Sequence, residues 1–417
     1  MRTVFYRQGQ IKFSNNVNSY CIRDFCSAIN LALKHGDNPI LLDFTNTDRA
    51  YPNGMVPIIS AIESIRTRNI EIQLSLPKNH NVRRLFRSVN WAHLITPNEI
   101  APSESVHDRH LVTRSFVTAE DQKRVVDDFM DVVLRSIRTP RPIFSGLEWT
   151  VNEITDNVLN HSDSKTGGII QASTYPSNGL IAFAVADSGR GILNSLQEGL
   201  PSLRTDSQAI GEAIKAGVTR NPKYGQGNGL AGAVRISTLS GGSFELTSGR
   251  ARLLVTPSES KRIERKYYEA YAGTVVCGQI KTSETFSIQE ALTFGDVPYA
   301  PVDFIEMNYE RNESSCHAIA LKSESTGYGT RQAGRQLRNK ALNLLEADKT
   351  LPLVIDWSGI PVISSSFADE FIGKLFAELG ALTFSARIRN RGMEQLIASL
   401  LDKAIAQRLT QERDAEE

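Results

Sequence analysis

The sequence predicts an α/β protein of three successive regions, and three observations carry that reading. Short apolar strands alternate with amphipathic helices near both ends of the chain. The middle holds longer strands broken by glycine-rich turns, and the first and last regions share a strand–turn–helix pattern.

A chain of 417 residues, 41% hydrophobic and 22% charged, can form several full cores. The formal net charge of +1 supplies no global field for nucleic acid, which is therefore not an expected partner. Cys21, Cys26, Cys277 and Cys316 lack C-x-x-C spacing, so they suggest neither a zinc site nor a disulfide framework. The opening MRTVFYRQGQIKF has no signal-peptide core, and no apolar run reaches the roughly 18 residues of a membrane span. The expected location is the cytoplasm, with no membrane partner.

In region 1–110, Ser19–His35 reads as a helix, Pro39–Phe44 as a buried strand, Val56–Arg66 as a helix and Ile70–Leu76 as a strand. Region 111–285 opens on the amphipathic run AEDQKRVVDDFMDVVLRSI. A helix carrying Asn152–His161 follows, then strands Gly168–Thr174, Leu180–Ala186, Ser243–Thr247, Leu253–Val255 and Thr274–Cys277. The polar stretch 257–273 reads as a loop or hairpin excursion. In region 286–417, a helix at 331–346 precedes strand Leu353–Asp356, a serine turn and a helix at 366–379. Phe384–Ile388 reads as a strand, Met393–Arg408 as a closing helix, and QERDAEE as a frayed tail. ILLDFTNTDRAYPNGMVPIISAI at 40–62 parallels LVIDWSGIPVISSSFADEFIGKL at 353–375, with strands ending in Asp43 and Asp356. That likeness points to an internal duplication, with independent α/β units as the alternative.

Three central runs carry the chemistry: Glu153-x-x-x-Asn157, Asp187-Ser188-Gly189-Arg190-Gly191 and Gly225-x-Gly227-x-Gly229. Four-residue spacing puts Glu153 and Asn157 on one helix face, where a carboxylate can orient or deprotonate a nucleophile and an amide oxygen can ligate Mg²⁺. A solvated helix face is the plain alternative for this pair. Asp187 ends the apolar run IAFAVA, either as a turn former or as a carboxylate reading a base edge. Gly189 and Gly191 allow close backbone approach. YGQGNGLAGAVRISTL sets glycines before an apolar helix, where backbone amides can cradle phosphates; no G-K-[ST] follows, so it is not a P-loop.

In order and spacing these runs resemble the GHKL ATPase and kinase superfamily, which includes histidine kinases, gyrase-type ATPases and anti-sigma serine kinases. The resemblance covers about 140–280 and implies a Bergerat-type two-layer α/β sandwich, a mixed sheet with helices on one side, binding ATP and Mg²⁺. Glu153 then corresponds to the N-box base and Asn157 to the magnesium ligand. Asp187, Gly189 and Gly191 correspond to the adenine box. Gly225, Gly227, Gly229 and Leu230 form the lid box, and Thr274 after Gly273 joins the adenine network. Glutamate suits activation of water or of a protein hydroxyl. No four-helix dimerisation segment with a phosphoacceptor histidine is evident, and His107 and His110 lie in a polar linker-like run.

The C-terminal region, with VIDWSG at 354–359 and SSSFADE at 364–370, resembles the STAS-like relatives of anti-anti-sigma factors. There Ser365 or Ser366 corresponds to a phosphoacceptor, while simple helix capping explains at least one serine. The N-terminal copy sets Tyr51, Pro52, Asn53 and Gly54 against Ser364–Phe367 and keeps no acceptor, which suits a docking or dimerisation module. Arg331, Arg335 and Arg338 recur at helical spacing, suiting an acidic partner or a solvated face. The expected whole is a signalling protein with two STAS-like flanks at 1–110 and 286–417, acting on protein partners or on itself. It works as a slow ATPase or serine kinase, or as a non-catalytic nucleotide switch.

Overall fold

A computed structural model describes residues 3–103, 110–215, 217, 228–264, 269–284, 286–293, 302–311, 315–324 and 327–416. The architecture is mixed α/β. Two compact units are present: one gathers Met1–Phe129, Gly146–Thr174 and Leu180–Ala300, and the other Met130–Ser145, Tyr175–Gly179 and Pro301–Glu417.

The first unit opens with β1 (Val4–Arg7), β2 (Gln10–Phe13), β3 (Asn16–Val17), α1 (Cys21–His35), β4 (Ile40–Asp43), β5 (Arg49–Ala50), α2 (Pro52–Arg66), β6 (Ile72–Ser75), α3 (His80–Ser88) and α4 (Trp91–Ile95). Its sheet runs β1-β2-β4-β6, with β1 antiparallel to β2 and the other neighbours parallel. Left-handed Gly36 ends α1 by donating its N–H to the carbonyls of Ala32 and Leu33. Helix α2 starts four residues earlier than the sequence suggested, because Pro52 at its first position has a helical φ already set and no N–H to satisfy. Phe13 stacks on Phe44 with ring centroids 4.0 Å apart, and Phe86 meets Phe44 and Trp91 edge-on.

The same unit continues with β7 (His110–Phe116), α5 (Ala119–Ser136), α6 (Arg141–His161), β8 (Gly168–Tyr175), β9 (Leu180–Asp187), α7 (Gly191–Leu196), α8 (Asp206–Ala213), α9 (Gly229–Leu239), β10 (Ser243–Gly249), β11 (Ala251–Val255), β12 (Ser260–Glu264), β13 (Tyr271–Lys281) and α10 (Ile288–Leu292). The later residues of α5 and the first of α6 fall in the second unit. The seven strands lie in the order β12-β11-β10-β13-β9-β8-β7. Where a mixed sheet was expected, the pairs β7/β8, β9/β13, β13/β10, β10/β11 and β11/β12 all run antiparallel. The polar excursion contains β12, paired with β11.

Both faces of this sheet are covered. Strand side chains alternate between faces. On β9, Phe183 packs toward Phe129 of α5 at 6.3 Å, while Ala184 and Ala186 join the core of the N-terminal elements. On β13, Tyr271, Val275 and Cys277 join that same core. This is why LIAFAVAD is continuously apolar rather than alternating.

The second unit adds α11 (Phe304–Asn308), β14 (Glu310–Arg311), β15 (Cys316–Ala320), α12 (Leu321–Glu324), α13 (Arg331–Ala347), β16 (Leu353–Asp356), α14 (Ser365–Ala368), α15 (Lys374–Leu379), α16 (Ala381–Arg387), β17 (Ile388–Arg391) and α17 (Gln395–Glu416). Its sheet, β14-β15-β16-β17, has one antiparallel edge pair followed by parallel neighbours, the same pattern as the N-terminal sheet. A π-helical turn, Asp369–Gly373, interrupts the helix expected over 366–379. The expected strand Phe384–Ile388 is instead mostly α16, with the strand starting at Ile388. Gly380 at φ 74° turns the chain, and Phe384 packs edge-on against Phe376 at 5.3 Å. Helix α17 continues to Glu416, so the expected frayed tail is helical up to that point.

Candidate functional site

Among the described residues, the first unit brings Glu153 against Gly229, and Asp187 against Gly189 and Gly273. Helix α6 carries Glu153 and Asn157, both half-buried, with Ile154 and Val158 on its buried side. Its C-terminal end meets the turn after β9: Arg190 N–H donates to Ser162 O at 2.8 Å and Arg190 Nε to His161 O at 3.1 Å. A Cβ on Gly189 would lie 2.0 Å from Ser162 O, so only glycine permits this approach.

Asp187 is 3% exposed and ends β9. Its Oδ1 accepts the Gly189 N–H at 2.8 Å, and the Thr274 backbone N–H also bonds the carboxylate. Burial pushes this carboxyl up to about 7, against the pull of those two hydrogen bonds. Gly273, at φ 100°, brings Thr274 in: a Cβ there would sit 2.2 Å from Asp187 O. Ser248 Oγ ties the neighbouring turns, accepting Ile192 N–H at 2.9 Å and donating to Gly273 O at 3.0 Å. Gly191 is left-handed at φ 74°.

Gly229 opens α9 directly against Glu153, where an added Cβ would lie 2.4 Å from the carboxylate oxygen. Burial, then the Asp156 carboxylate, raises the Glu153 carboxyl above its ordinary range. Leu230 packs with Leu196, Leu203, Ala209 and Ala213 of the α7–α8 segment. Gly225 and Gly227 lie outside the described residues, as does His107. Among the described residues, no group of three or more His, Cys, Asp or Glu could hold a metal ion, and no helix is long and apolar enough to cross a membrane.

Sequence reasoning missed Ser60, Ser188, Ser248 and Tyr271. Ser60 Oγ lies 3.0 Å from Ser188 Oγ, and the Tyr271 hydroxyl donates to Pro57 O at 3.3 Å. Only the position of Ser188 inside the Asp187–Gly189 run hinted at a role; single serines and tyrosines carry no periodic signal.

In the second unit the helix cap is Ser364: its Oγ accepts Phe367 N–H at 3.0 Å and shares a 3.0 Å hydrogen bond with Ser366. Ser365 is exposed. Arg338 turns inward to Glu370 and the exposed Arg335 reaches the same carboxylate, with nitrogen–oxygen distances of 3.0 and 3.6 Å, and Lys374 joins them at 2.6 Å. Two members of the arginine stripe are thus engaged within the unit.

Residues 333–397 match the family described as a STAS-like domain of unknown function (DUF4325). The match runs from α13 to the start of α17 and contains β16, Ser365 and Ser366. The chain thus contains a STAS-like module of α/β type. No curated protein matches the chain.

Proposed function

We propose that the chain is a Mg²⁺-ATP-binding regulatory protein, whose central region at 111–285 is of GHKL type and whose C-terminal STAS-like module, with a related N-terminal one at 1–110, makes the protein contacts. The observation that carries this reading is Asp187: a buried carboxylate that bonds the backbone N–H groups of Gly189 and Thr274, in a turn that added Cβ atoms would block. A buried acceptor of this kind suits a ligand amino group, such as that of adenine.

The residues fit the nucleotide. Asp187, Gly189, Gly191 and Thr274 would hold the base end, and Gly229 and Leu230, with Gly225 and Gly227, the phosphate end. Asn157 would supply one oxygen to Mg²⁺, which is usually bound by few protein ligands together with phosphates and water. The ion would supply charge neutralisation at the phosphates. Glu153, its carboxyl raised by burial, would take the proton from an attacking water or protein hydroxyl. Ser365 is the more accessible of the two candidate acceptors, because Ser366 is bonded to the capping Ser364.

Isothermal titration of the full chain with Mg²⁺-ATP, beside Asp187→Ala, tests binding; a wild-type protein that takes up no ATP sinks the reading. Labelled γ-phosphate followed to free phosphate or to protein, with Glu153→Ala and Ser365→Ala as controls, separates ATPase, kinase and switch. A switch without catalysis predicts nucleotide-dependent changes in self-association or partner binding that survive Glu153→Ala and vanish with Asp187→Ala.

A further inference from the structure

We propose that the N-terminal module is a positioning element of the nucleotide site, acting through Ser60 and Tyr271 on the turn that carries Asp187. The inference rests on the nucleotide reading above and adds a regulator to it.

At the end of β9, neighbouring side chains point to opposite faces. Asp187 follows the alternation of Phe183 and Val185, the side that meets α5. Ser188, one residue on, is met by Ser60 of α2 at 3.0 Å. On the adjacent β13, Tyr271 precedes Gly273 by two residues and donates its buried hydroxyl to Pro57 O of α2, beside the Ser60–Ser188 hydroxyl pair. Ser60 is 1% exposed and Tyr271 3%. Helix α2 therefore grips both chain segments that supply hydrogen bonds to Asp187.

Little slack separates grip and site. The Gly273 Cα packs so closely on the Asp187 carbonyl that a methyl group would overlap it. The module also cannot swing as a tethered body. Its core is continuous with Ile169, Ala184, Ala186, Val275 and Cys277, and the Trp91 indole N–H donates to Gln171 Oε1 at 2.7 Å in the interior. Arg252 adds a hydrogen bond to Ser19 at 3.1 Å and lies 4.4 Å from the Tyr20 ring centre. This placement makes the module a support for the site from the opposite face of the sheet. A partner that displaces α2 shifts nucleotide affinity, and bound nucleotide shifts affinity for that partner by the same factor.

The test titrates full-length wild type, Ser60→Ala and Tyr271→Phe with Mg²⁺-ATP and with purine-riboside triphosphate, which lacks the 6-amino donor. Each variant is expected to lose about three- to tenfold in ATP affinity, the worth of a buried hydrogen bond, and to bind the purine analogue as wild type does. Loss of the ATP preference is a readout that general loosening would not produce. Wild-type preference retained in both variants overturns the inference and leaves the nucleotide reading standing; a wild type that binds neither nucleotide removes both. Should the variants not fold, hydrogen exchange of the wild type decides. Saturating ATP is expected to slow exchange in 52–66, and unchanged exchange there overturns the proposal.

Discussion

The carboxylates of Asp43 and Asp356 close equivalent strands in the same way: each accepts a backbone N–H two residues on, from Thr45 and from Ser358, both at 2.9 Å. Eight residues after each, an extended residue precedes a helix, Tyr51 before α2 and Ser364 before α14. The two sheets share strand order and sense, so the sequence likeness has a structural counterpart down to the strand-end hydrogen bond.

Asp356 is held down to about 2, first by the Ser358 side chain, then by Arg391 and the Ser358 backbone. A depressed carboxyl stabilises the fold above its unfolded value near 4, and that contribution is lost as pH falls through about 2. Asp356→Asn should cost about 1 kcal/mol at pH 7. Melts recorded from pH 7 to pH 2 should show the gap to wild type closing only below about pH 4.

Asp187 titrates in the opposite sense. Its carboxyl is raised to about 7, so burial penalises the folded protein above that pH, and the ligand-free protein should gain stability as pH falls from about 7 toward 4. A bound amino donor favours the ionised form. Nucleotide affinity should therefore weaken as pH drops below 7, by up to about tenfold per unit, and binding should release protons. Calorimetry in buffers of different ionisation enthalpy measures that release, which Asp187→Asn should abolish.

Gly273→Ala should destabilise the first unit by more than about 1 kcal/mol, since φ 100° and a 2.2 Å approach to Asp187 O both exclude a Cβ. Gly217→Ala, also at positive φ but with none of the described residues within 4 Å, should cost less. Urea denaturation of the two variants compares strain alone with strain plus collision.

Lys340 is 2% exposed, and its ammonium donates to Asp131, to Glu324 and, at 3.0 Å, to the Tyr309 hydroxyl. Burial alone would lower its pKa, but Asp131, Tyr309 and Glu324 together raise it. Lys340→Met should cost about 3 kcal/mol or more, by stranding the Glu324 carboxylate and leaving Asp131 only its pair with Arg135. Adding Glu324→Gln should recover part of that loss in chemical unfolding, and a neutral single variant would refute the account.

The local elements were largely legible. Strands Ile40–Asp43 and Leu353–Asp356, helices α1 and α13, and the glycines around Asp187 all follow from patterns spanning a few residues. The strand expected at Phe384–Ile388 failed because Gly380 and the Phe376–Phe384 contact turn that segment into a helix. In the arginine stripe Arg331 and Arg335 are exposed, as a solvated face requires, while the partner of Arg338 was not legible because Glu370 lies 32 residues beyond it.

By itself, then, the sequence determined the α/β elements, the placement of a carboxylate at a strand end and the glycines beside it, because backbone sterics and periodicity act over short spans. The tertiary structure alone decided that Asp187 and Ser188 serve opposite faces of one sheet, one beside the candidate site and the other against α2. Apolar burial has no preferred direction. The continuous run LIAFAVAD called for cover on both faces, and only the assembled chain could say which segment supplied it.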